Sequence, residues 1–174
     1  RAISVGPEVS NPLIATGMGD DTYLAGSYSG APMVGNKSLP QAKRSIFVAK
    51  VNTEATVQWV QGLGDAVNTQ MPRAMHADGY GNVVIGGEFE GSIDSLTAAP
   101  NGSTDGFVIK IAHDNMILWS RQLGAGSTGK RGVMTLAAGC AGVLAGGVFT
   151  GTQRIDLGLV DSQGQDPLVA IFAP

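Results

Sequence analysis

The stretch Asn82–Gly91, NVVIGGEFEG, returns twice in the chain, as Thr22–Gly30 (TYLAGSYSG) and as Gly142–Gly151 (GVLAGGVFTG). The interval is sixty residues each time, and on that spacing Gly26, Gly86 and Gly146 share one register position. Other anchors keep the interval. Pro12 matches Pro72, Phe47-Val48-Ala49-Lys50 matches Phe107-Val108-Ile109-Lys110, Trp59 matches Trp119 and Gly64 matches Gly124. Leu168–Ile171 follows after one inserted residue. Several independent anchors on one period mark an internal threefold repeat, with copies at about 11–64, 71–124 and 131–174.

Each copy divides into four short apolar runs, in the middle copy Arg73–Ala77, Asn82–Glu90, Gly106–Ile111 and Met116–Gln122. Val, Ile and Phe dominate them, with partial period-2 alternation. Asp78–Asn82 and Ala112–Asn115 are rich in turn formers, so each pair of runs reads as a β-hairpin. No window carries a sustained helical stripe. The expected class is an all-β single domain. Long connections join the second and third runs, at Ala31–Arg44, Ser92–Asp105 and Thr152–Asp166, where binding segments are often found. The last copy lacks a Trp-bearing fourth run, while residues 1–5 align with Gln61–Asp65, so segment 1–6 is a candidate closing strand.

Composition bounds the partners. An apolar fraction of 43% with 14% charged residues fits a folded core, and 26 glycines without a Gly-X-Y period fit tight turns between strands. The net charge is −3, and residues 61–120 hold two Lys/Arg against seven Asp/Glu. With no basic cluster to neutralise phosphates, nucleic acid is not an expected partner. No apolar run reaches the length of a membrane span. The single cysteine, Cys140, excludes an intramolecular disulfide.

Four antiparallel strands per copy is the pattern of a propeller blade. The residues Trp59-x-x-x-Leu63-Gly64, Ala74-x-x-x-Asp78-x-x-Gly81-Asn82-Val83-x-x-Gly86-Gly87-x-Phe89, Asp105-Gly106-Phe107-Val108-x-Lys110 and Trp119 together resemble the SBBP-type bacterial β-propeller repeat. The resemblance covers nearly the whole chain. The third copy departs most, with Gly142 for the Asn, Ala138 for the Asp and Ile171 for the Lys. It implies a β-propeller-like fold and a secreted or surface-exposed bacterial protein, without implying chemistry. A β-trefoil, also three repeats of four strands, is the alternative fold.

Candidate chemistry is sparse. Gly124–Lys130 approaches a phosphate-cradling loop, but Arg131 stands where a Ser or Thr would hold magnesium, and a strand-like run follows where a helix is needed. His76 and His113 occupy different blade positions without a metal-ligand pattern. Glu88, Glu90 and Asp94 offer oxygens for calcium but have no counterpart in the other copies. Asn36-Lys37-Ser38 and Asn101-Gly102-Ser103 match glycosylation acceptors. No nucleophile–base–acid set is found around Cys140 or elsewhere, so catalysis, a metal and a cofactor are not expected. The first strands of propeller blades line a central channel, which makes Arg73, His76 and Asp78 the ligand-binding candidates. The expected function is a non-catalytic scaffold that contacts proteins or itself through sheet edges, with a glycan- or small-ligand-binding module as the alternative.

Overall fold

The computed structural model describes residues 2–17, 19, 21–98, 103–124, 129–139, 142–155 and 158–173, with backbone alone at 153–155, 158–160 and 163. The strands are, in chain order, β1 (Val9–Thr16), β2 (Thr22–Gly30), β3 (Met33–Val34), β4 (Lys37–Ser38), β5 (Ala42–Val51), β6 (Val57–Leu63), β7 (Gln70–Ala77), β8 (Val83–Phe89), β9 (Ser92–Ile93), β10 (Leu96–Thr97), β11 (Asp105–Ile111), β12 (Ile117–Leu123), β13 (Arg131–Gly139), β14 (Gly142–Ile155) and β15 (Gly158–Phe172). Eleven of them form three antiparallel sheets, ordered β1-β2-β5-β6, β7-β8-β11-β12 and β13-β14-β15, and the other four form two small hairpins. No helix occurs among the described residues, so the all-β class stands. None of the sheets closes on itself.

The long connections of the first two copies are not simple loops. They fold into the two-residue hairpins β3–β4 and β9–β10, turned at Gly35 (φ 60) and Asp94 (φ 51). In the third copy the same region prolongs the ladder, from Gly151↔Ser162 to Ile155↔Gly158.

Strand pairing moves the repeat register by one residue. Gly26 faces Phe47, Gly87 faces Phe107 and Gly147 faces Leu168, so these three glycines, not Gly26, Gly86 and Gly146, are equivalent. The interval from β2 to β8 is therefore sixty-one, and Pro12 corresponds to Arg73 rather than Pro72. A bulge explains why glycine is needed here. Each first strand shifts register opposite this position, between Ser10 and Leu13, Pro72 and Ala74, and Val133 and Thr135. The shift brings the carbonyl of Ser10, Met71 or Gly132 over the glycine, where a β-carbon would collide with it.

The sheets stack face on face, with the first strands β1, β7 and β13 side by side along one edge. Tyr23, Ala25, Ile46 and Val48 of the first sheet pack on Val83, Ile85, Phe107 and Ile109 of the second. The other face of the second sheet, through Val84 and Val108, packs on Val133, Val143 and Ala145 of the third. Central strands covered on both faces need apolar residues at successive positions, which is why alternation in β8 is only partial. Part of the remaining face of the first sheet is covered where Val34, Leu39, Ile3 and Val9 pack on Tyr28, Phe47 and Ala49. Segment 3–6 thus lies on the first sheet and bonds to the β3 hairpin through Gly6 N–H to Met33 O (3.1 Å) and Gly35 N–H to Ser4 O (2.9 Å). It takes the place that the link after β6 takes at the next junction, where Asp65 N–H bonds to Ser92 O (3.1 Å).

Candidate functional site: the first-strand edge and the sheet junctions

Asp78 ends β7, and the turn to β8 is built around its carboxylate. Oδ1 accepts from the N–H groups of Tyr80 and Asn82, each at 2.9 Å, and Oδ2 accepts from Asn82 Nδ2 at 2.9 Å. Lys110 Nζ, from the neighbouring β11, adds an ion pair at 3.0 Å. Burial pushes the carboxyl up, but the bonds from Asn82, Lys110 and Tyr80 together outweigh it and hold Asp78 below the usual carboxylate range. Its acceptor capacity is spent on the turn.

Arg73 is the extra residue of the β7 bulge, which throws its side chain outward, where Nη2 meets Glu88 Oε1 at 2.5 Å. His76 lies three residues on. With Met75 and Ala77 it faces Ile14, Ala15 and Thr16 of β1 across a shallow groove of about 300 Å³. Its Nδ1 is buried with no hydrogen-bond partner among the described residues. The structure does not bring the three predicted site residues to one point. Asp78 is consumed by a turn, Arg73 by an ion pair, and only His76 borders the groove, whose other walls are mostly apolar.

The more elaborate polar chemistry sits where one sheet meets the next, and sequence reading passed over it. Between the second and third sheets, Arg131 at the start of β13 and Asp105 at the start of β11 form a fully buried ion pair at 3.4 Å. Gln122 Nε2 donates to Asp105 Oδ2 at 2.7 Å, and Arg131 Nη2 donates to Thr152 O at 2.7 Å. At the previous junction the corresponding residues are Gln70 and Ser45. Gln70 Nε2 donates to Glu90 O at 3.0 Å, and the Ser45 hydroxyl donates to Leu63 O. Glycine precedes each latch because Gly64 and Gly124 take φ 107 and 116, and a β-carbon there would run into Gln70 or Arg131. Neutral residues bonded within their own sheets at one junction and an ion pair at the next leave no shared residue type for an alignment to reveal.

Asp65 fastens the same junction from the linker. It accepts from Val67 N–H, Asn68 N–H and Asn68 Nδ2, and across the junction from Ser92 N–H at 2.8 Å. Burial raises its pKa, but the bonds from Asn68, Ser92 and Val67 dominate and hold it well below the carboxylate range. Two donors cross from the first sheet to the turns of the second, Tyr23 Oη to Gly81 O and Trp59 Nε1 to His113 O (3.0 Å). Burial, then the charges of Asp21 and Asp78, push the Tyr23 phenol up to about 12.

A cleft of about 640 Å³ with mixed walls opens beside the second junction, lined in part by Glu88, Lys130, Met134, Val148, Thr150 and Gln165. Lys130, the end of the glycine-rich loop, feeds strand β13 rather than a helix, so no helix N-terminus is present there to receive a phosphate. Residues 125–128 of that loop, Cys140 and the Asn101 acceptor lie outside the described residues. Among the described residues no three His, Cys, Asp or Glu side chains cluster to hold a metal ion. Among the described residues no helix is long and apolar enough to cross a membrane. No protein-family model matches the chain, and no curated protein sequence matches it.

Proposed function

We propose that this chain is a run of propeller-type blades serving as a non-catalytic interaction scaffold, part of a secreted or surface-exposed bacterial protein as the SBBP-like repeat implies. The observation that carries the reading is the repeated junction. The same face of sheet one covers sheet two as that of sheet two covers sheet three, with the first strands side by side. A trefoil would share its strands among copies in one barrel, whereas here each copy keeps its own sheet. Polar groups are spent on turns and latches, which suits rigidity rather than turnover. A thermal-shift panel of neutral and acidic sugars, nucleotides and divalent cations tests it. The scaffold reading expects melting temperatures to stay within about 1 °C of the free chain, whereas saturating a specific site would raise them by several degrees. A reproducible shift with any sugar would replace it with the ligand-binding module.

A further inference from the structure

The third sheet carries a bare apolar face. Leu144, Met134, Val169 and Ile171 are 45%, 45%, 65% and 76% exposed, although all lie in or beside the ladder of β13, β14 and β15. By strand pairing this face is the counterpart of the two that are buried at the junctions. Tyr23, Val84 and Leu144 correspond, as do Lys50, Lys110 and Ile171. The charged positions of the second sheet have become apolar in the third: Arg73 is replaced by Met134, Glu88 by Val148 and Lys110 by Ile171. A face turned to water would show the opposite trend, since the water-facing repeats of stacked arrays are capped by polar surface.

The shape of the face identifies what fits it. Gly86, on the second sheet, leaves a dimple that Val133 Cγ1 and Leu136 Cδ1 of the third sheet fill. The equivalent Gly146 meets only Thr135 Cγ2 of its own sheet, so among the described residues no side chain of another sheet packs there. The first-sheet counterpart of Leu136 is Ile14, which is 68% exposed at the other end of the stack. Beside it, Thr22, Leu24 and Val51 line a hollow of about 440 Å³, with Ile3 of segment 3–6 as one of its walls. The molecule therefore carries an uncovered apolar face at one end and an unused knob at the other.

We propose that two copies of this chain dock head to tail, the third-sheet face of each receiving the Ile14 edge of the other. This rests on the repeat-array reading and names a second copy as its partner. The junction repeats the one made twice within the chain, and two copies give six sheets, within the range at which such rings close.

Sedimentation equilibrium of the full chain from about 1 µM to 1 mM tests this, a range that captures the affinities of modest interfaces. The expected result is twice the chain mass at the upper concentrations. Ile14→Asp and Val169→Asp should each weaken association by about a hundredfold or more, because a carboxylate would be buried unpaired. An equimolar mixture of the two variants should regain association, since one of its two junctions is intact. Ile14→Ser and Val169→Ser replace them if an aspartate lowers the melting temperature. A chain monomeric throughout overturns the proposal. So does a dimer indifferent to Ile14, or a mixture without rescue, either of which assigns a face-to-face pairing. Growth beyond two copies overturns the closed ring. None of these outcomes touches the ligand panel, so the two readings fail separately.

Discussion

At the residue scale, one backbone oxygen decides the character of the repeat. Gly87 has no room for a side chain, because the bulge of β7 places the Met71 carbonyl where the β-carbon would be. Gly87→Ala should therefore destabilise the fold by about 2–3 kcal/mol in urea melts. Gly79→Ala, with nothing within reach of the added carbon, should stay within about 0.5 kcal/mol. Tyr23 gives a pH signature. Its folded-state pKa of about 12 lies above the value of 10.0 for a free phenol, so the folded state holds its proton more tightly. That contribution is complete below pH 10 and declines as pH rises towards 12. Melts at pH 9 and pH 11.5 should show a larger alkaline loss in the wild type than in Tyr23→Phe.

At the element scale, the sheet latches invite an exchange. Arg131→Gln alone leaves Asp105 buried without its cation and should cost about 3 kcal/mol or more. Asp105→Ser combined with Arg131→Gln reproduces the neutral residues Ser45 and Gln70 of the first junction and should recover to within about 1 kcal/mol of wild type. Chemical denaturation of the three proteins checks both outcomes. The strands themselves were legible, because Asp78–Asn82 and Ala112–Asn115 carry turn chemistry and the runs between them are rich in Val, Ile and Phe. Their register was not. The doublets Gly86-Gly87 and Gly146-Gly147 each offer two glycines to match with Gly26, and only the pairing with Phe47, Phe107 and Leu168 decides between them. That the three candidate residues do not converge has a related cause. Asp78 looks available in sequence, but a carboxylate two and four residues ahead of backbone donors closes its own turn. Arg131 and Asp105 escaped notice because their counterparts, Gln70 and Ser45, have different chemistry.

At the scale of the whole molecule, the two ends of the stack are unequal. The first sheet is partly covered by segment 3–9 and the β3–β4 hairpin, whereas among the described residues β15 has no fourth strand beside it and its sheet exposes Val169 and Ile171. Hydrogen exchange should reflect this, with amides on the free side of β15 exchanging much faster than those of β5 and β11, which are paired on both sides. The partial cover also has a kinetic meaning. A first sheet covered on one face by residues that precede it can assemble before the rest of the chain exists, and its other face then serves as the template for the second. We expect the chain to be built by vectorial growth, nucleated at its beginning and always carrying one adhesive surface at the advancing end. Pulse-labelled refolding would show it as protection of β2 and β5 ahead of β14; simultaneous protection would mean that the three sheets condense together.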